Sequence, residues 1–141
     1  MIEGVVQMVY QYIAVAIVAS VVSMALGMLW YSPVLFGRLW MQLSGIKEKK
    51  EKKSGMSISY LAAFIGTAVN AGAYIYLYEA LAVVELLEAI KLGAIIWLGF
   101  MATTTLSSVL WEKKPVKLYL LNNAHLLLSN ILTAILVYFM L

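Results

Sequence analysis

The chain has no cysteine and no aspartate, a single histidine and two prolines, and only 12% of its 141 residues are charged. Without cysteine there are no disulfides and no thiolate chemistry. Without aspartate the serines lack a partner for a nucleophilic triad. One histidine cannot build a metal site, nor supply both axial ligands of a haem. No Glu, Lys or Arg falls in the core of the long apolar runs, so the usual ion-exchange group of a proton- or cation-coupled transporter is missing. No metal, no cofactor and no catalytic set is expected, and the chain does not read as an enzyme. The charged fraction is about half the roughly 25% of a soluble domain. With 64% hydrophobic residues in so short a chain, the apolar surface cannot all be buried internally, and lipid must cover the rest. The net charge of +3 gathers beside apolar runs, where it meets lipid headgroups; no nucleic-acid partner is implied.

What is present is four stretches of bilayer-spanning length, about 5–31, 58–84, 89–111 and 116–141. About 20 apolar residues suffice to cross roughly 30 Å of hydrocarbon. Backbone polar groups there must be satisfied internally, which makes each stretch a helix. The fold class is therefore all-α integral membrane, one membrane domain over 1–141. The first stretch is too long for a signal-peptide core, and no basic residue precedes it, so it reads as an uncleaved span. Arg38, Lys47, Lys49, Lys50, Lys52, Lys53, Lys113, Lys114 and Lys117 lie at one end of the spans, and Lys91 alone lies at the other, beside Glu79, Glu85 and Glu88. The positive-inside rule puts the nine in the cytoplasm and both termini outside. Tyr12 and Trp30, Tyr60 and Tyr78, and Tyr119 and Tyr138 mark the two interfaces. Each pair is about 27–29 Å apart along a helix.

After the first span, Ser32 is a helix-capping residue type and Pro33 suits a first turn. Leu35, Phe36, Leu39, Trp40 and Leu43 then recur at helical spacing. This predicts an amphipathic helix over about 33–45 lying in the cytoplasmic interface. A basic linker, 46–57, follows; it is a solvated run that also suits anionic lipid headgroups.

The fourth span is the most polar. Asn122, His125, Ser129 and Thr133 share a helical face, with Asn123 and Asn130 on an adjoining stripe. Small-residue stripes run along the other spans: Ala16, Ser20, Ser23 and Gly27; Ala63, Gly66, Asn70 and Ala73; Gly99, Thr103 and Ser107. Ser20, Asn70 and Asn130 each lie about 15–17 Å from the cytoplasmic aromatic markers, near the bilayer centre. Two readings follow. The polar groups line a small cavity, with His125, Asn122, Ser129, Asn130, Asn70, Ser20 and Thr103 as candidates, or they tie helices together. Leu-Trp followed by Pro-Val ends both the first and third spans, a faint repeat that interfacial helix ends explain without symmetry.

The block Trp30-Tyr31-Ser32-Pro33-Val34-Leu35-Phe36-Gly37-Arg38-Leu39-Trp40 resembles a family of small prokaryotic membrane proteins, domain of unknown function 1761. Lys91-Leu-Gly, the threonine-rich third span and Lys117-Leu-Tyr-Leu-Leu-Asn-Asn-Ala-His are similar to it too. The resemblance implies a four-span fold in a prokaryotic plasma membrane and brings no activity with it. It draws attention to Trp30, Tyr31, Pro33, Phe36, Gly37 and Trp40 as a corner joining span to interface. The expected function is a small homo-oligomeric transporter or channel for a neutral or weakly polar solute. The alternative is a non-catalytic accessory, structural or lipid-binding membrane protein.

Overall fold

A computed structural model describes residues 2–46 and 53–141 of the chain. Five helices are present and there is no strand among the described residues: α1 Ile2–Trp30, α2 Gly37–Ser44, α3 Lys53–Ala80, α4 Leu86–Leu110 and α5 Val116–Met140. α1, α4, α5 and the Ile58–Ala80 part of α3 are long and apolar enough to cross a membrane. Tyr31 and Asn122 meet at one end, and Gln11 and the Met140 carbonyl at the other. Both termini therefore share an end with the acidic α3–α4 connection. The basic connections share the opposite, basic end.

α1 and α3 pack as one hairpin and α4 and α5 as another; α5 also packs on α1 and α3. α4 leans chiefly on α5. Val15, Tyr74, Ile75, Tyr78, Ala89, Ala134 and Val137 form the main core cluster. At most a third of the residues in any span are buried in the protein, so the exposed Ile13, Ile17, Val21, Ile65 and Val69 need lipid around them.

The helix ends depart from the sequence expectation in instructive ways. Ser32 does not cap α2. Its hydroxyl donates to the Leu29 carbonyl at 2.7 Å, which the Ser32 amide also reaches at 3.2 Å, in the last turn of α1. The Phe36 and Gly37 amides turn back to the Trp30 and Ser32 carbonyls at 3.0 and 2.9 Å, so 33–36 form turns and α2 begins at Gly37. It ends on Gly45 in the left-handed conformation, φ 66°. Of the linker 46–57 and its lysines, residues 47–52 lie outside the described residues, and α3 already runs from Lys53.

α3 stops at Ala80 rather than near 84, because the chain reverses through Ala82 at φ 48° and the Val83 amide returns to the Tyr78 carbonyl. α4 starts at Leu86, before the expected 89. The Glu88 carboxylate accepts from the Val84 and Glu85 amides at 3.1 and 3.3 Å, drawing a charged residue into the first turn. α4 is also not a regular helix. It widens into a π-helical turn over Trp97–Ala102 and breaks again at Leu106. Irregular backbone at membrane depth needs replacement partners. Thr103 and Thr105 donate back to the Gly99 and Met101 carbonyls at 2.8 and 2.7 Å, Thr104 donates to the Phe100 carbonyl, and Ser107 donates to the Thr104 carbonyl at 2.8 Å. The Tyr119 hydroxyl reaches across from α5 to the Ala102 carbonyl at 2.9 Å.

Candidate functional site

The polar face of α5 divides by depth. Deepest is Asn130, which is buried and fully engaged. Its side-chain oxygen accepts from the Tyr74 hydroxyl at 2.8 Å, and its amide nitrogen donates to the Leu126 carbonyl at 2.7 Å and lies 3.0 Å from the Met101 sulfur. Ser20 is fully buried and donates to the Ala16 carbonyl of its own helix. Ser23 and Thr133 face each other at 3.4 Å. Asn70 and Ser129 are half-buried and hydrogen-bond to no described residue, and Thr103 is exposed on the outer face of α4. At mid-depth the structure thus brings together Asn130, Tyr74 and Met101, rather than Ser20, Asn70 and Asn130. The sequence reading passed over Tyr74. A tyrosine one helical turn inside the Tyr78 marker was the available signal, since a buried phenol requires a partner.

Toward the basic end the arrangement changes. Asn123 donates to Thr105 at 3.0 Å and to the Tyr119 carbonyl at 3.1 Å, binding α5 to the irregular part of α4. Asn122 accepts from the Tyr31 hydroxyl at 3.1 Å. Gly37 makes this corner possible: a Cβ there would collide with the Tyr31 carbonyl oxygen and lie 2.7 Å from that of Ser32. The turn folds the aromatic residues into one cluster. Trp30 and Phe36 have ring centroids 4.6 Å apart, and Tyr31 and Trp40 5.6 Å.

His125 enters the same cluster, 5.2 Å from Tyr31 and 6.0 Å from Trp30 between ring centroids. Its Nε2 faces Gly27, where a Cβ would lie 3.4 Å away; the missing side chain gives the imidazole its room. His125 makes no hydrogen bond to any described residue. Both its Nε2 and the Trp30 indole nitrogen are buried without a partner. Beside them lies a cavity of about 550 Å³ between α1, α3 and α5, walled by Met24, Gly27, Met28, Tyr31, Tyr60, Ala63, Thr67 and His125 among others. Its hydroxyl groups are largely spent on backbone carbonyls: Ser32 on Leu29, Thr67 on Ala63 and Phe64. A second cleft, about 590 Å³ and more polar, opens on the other side of Asn122, between α2, the end of α4 and the start of α5.

The corner block and the polar start of α5, far apart in sequence, thus form one site. A family model described as "Protein of unknown function (DUF1761)" matches residues 13–138, which takes in both. The chain belongs to this family. No curated protein and no solved structure matches it. Membership in DUF1761 agrees with the four-span architecture and assigns no chemistry, so the site must be read from its own geometry. The metal-ligating residue types form no group of three or more among the described residues. What this DUF1761 chain offers at its basic end is a small, mostly apolar chamber with an imidazole at its wall.

Proposed function

We propose that this protein binds a membrane-borne amphiphile with a neutral, hydroxyl- or carbonyl-bearing head, held at the basic end between α1, α3 and α5. The observation that carries the reading is His125 Nε2, buried and left without a partner in a ring that walls the chamber. Buried polar groups almost always find a hydrogen-bond partner, and leaving one unmet costs about 1–3 kcal/mol. A ligand oxygen in the chamber either donates to or accepts from the imidazole, according to its tautomer. The apolar walls of Met24, Met28 and Ala63 suit the adjoining carbon chain. The nine basic residues at this end support placing the site in the cytoplasmic leaflet of a prokaryotic plasma membrane.

The transport reading asks for polar groups along a path through the membrane. Here two of the three groups near mid-depth, Asn130 and Ser20, are buried and engaged with protein and Asn70 is not, which favours the binding reading over a continuous polar path. A monoacylglycerol carrying a diazirine on its chain tests this in nanodiscs. Crosslinks are expected to concentrate on the chamber segments of α1 and α3, from Met24 to Met28 and from Tyr60 to Thr67. Gly27→Leu, which fills the space at the imidazole, should remove them while the protein stays folded. Crosslinks spread evenly around all four spans would refute the site. Solute flux in reconstituted vesicles that requires His125 would instead favour transport.

A further inference from the structure

At the acidic end, Glu79 stands where folding stability alone would not put it. It occupies the last turn of α3, where the helix dipole disfavours an anion. It lies at the margin of the apolar zone, among the interfacial rings Tyr12, Tyr78 and Tyr138. No cation answers it: the one ion pair among the described residues joins Lys114 to Glu112, at the opposite end. The single described hydrogen bond to its carboxylate comes from the Tyr12 hydroxyl at 3.1 Å. Glu88, by contrast, is occupied with the start of α4.

Below this carboxylate runs a groove of about 410 Å³ between α1 and α3, lined by Tyr12, Ile13, Gly72 and Tyr76 among others, with almost no polar surface and with Glu79 as its outermost lining residue on α3. A Cβ at Gly72 would meet nothing within 4 Å, so that glycine leaves the groove open. Gly72 is two helical turns from Glu79, so the groove reaches about 10 Å from the carboxylate toward mid-membrane. We infer that the α1–α3 groove binds a lipophilic organic cation, its charge at Glu79 between the rings of Tyr12 and Tyr76 and its apolar body in the groove. The charge decides the occupant. A bare acyl chain or a second copy of the chain would leave the exposed carboxylate to Tyr12 alone, whereas an onium ion meets both the anion and the ring faces. The size falls within the usual range of small-molecule sites, about 300–1,000 Å³.

The test is equilibrium binding of tetraphenylphosphonium to the full chain in neutral-lipid nanodiscs, separate from any ligand at His125. Saturable binding is expected. Glu79→Gln keeps an acceptor for Tyr12 but loses the charge, and should weaken binding about tenfold or more. Gly72→Leu, which fills the groove without touching the core, should abolish it. Glu112→Gln, a carboxylate at the other end, should leave it unchanged. Three results would overturn the proposal: no saturable binding by the native chain, equal loss in Glu79→Gln and Glu112→Gln, or native affinity in Glu79→Gln. Crosslinking of the groove to lipid chains or to another copy, undisturbed by excess tetraphenylphosphonium, would do the same.

Discussion

The close approach of α4 to α5 at Gly93 predicts that one substitution has opposite signs at two glycines. A Cβ on Gly93 would lie 3.0 Å from both the Asn130 carbonyl oxygen and the Ile131 Cα, and 3.2 Å from the Ile131 nitrogen. All three atoms are backbone, so no side chain can swing aside; α5 itself has to move. At Gly66, on α3, a Cβ would meet nothing within 4 Å. Alanine is favoured over glycine in a helix by about 1 kcal/mol, and Gly66→Ala should keep that gain. Gly93→Ala gains the same amount but overpacks a rigid contact, at a cost of about 1–3 kcal/mol. The net expectation is a loss of ~1 kcal/mol, reaching ~2 if α5 resists displacement. Gly93→Leu should prevent the α4–α5 hairpin from forming its native contact. Reversible unfolding in bicelles, followed by tryptophan fluorescence, reads all three variants. If Gly93→Ala and Gly66→Ala were equally stabilising, the α4–α5 contact would not be as close as the geometry requires, and the reasoning would fail.

Two further outcomes are expected. Asn130→Leu should destabilise the protein by about 0.5–2 kcal/mol, since it strands the Tyr74 hydroxyl, and Tyr74→Phe in the same chain should recover part of that loss in a double-mutant cycle, because the two residues are directly bonded. For topology, single cysteines at Glu88 and at Lys114 should differ toward an impermeant thiol reagent in intact cells, with position 88 labelled and position 114 protected; the reverse pattern would invert the predicted orientation.

The number and approximate place of the spans were legible because hydropathy and interfacial aromatics are local properties of the chain. The ends were less so. Nothing in the charge pattern says that Glu88 will be drawn into a helix by two free amides, or that the Ser32 hydroxyl will serve the helix behind it rather than the one ahead. The small-residue stripes show the same limit. The stripe on α1 is turned inward, with Ser20 and Ser23 buried, while Gly66 and Gly99 face open space and Thr103 is exposed. A glycine looks the same from sequence whether a neighbour crosses it or not. Helix rotation decides, and rotation is set by how large side chains such as Tyr74 and Val137 pack across the interface. The π-helical turn in α4 left no periodic trace beyond the threonines that repair it. His125 stood out as the chain's single histidine, but its ring neighbours came from a corner 85–95 residues earlier, an association only the fold could supply.

The central position of α5 also constrains how the protein is made. α1 and α3 can associate as soon as both have left the ribosome. α4 follows, and its chief packing surface has not yet been translated. During that interval the Ala102 carbonyl awaits the Tyr119 hydroxyl, Tyr74 awaits Asn130, and Thr105 awaits Asn123. A nascent chain arrested before Val116 would hold the α1–α3 hairpin and an irregular α4 without its chief packing partner. The arrival of α5 then satisfies the earlier spans together.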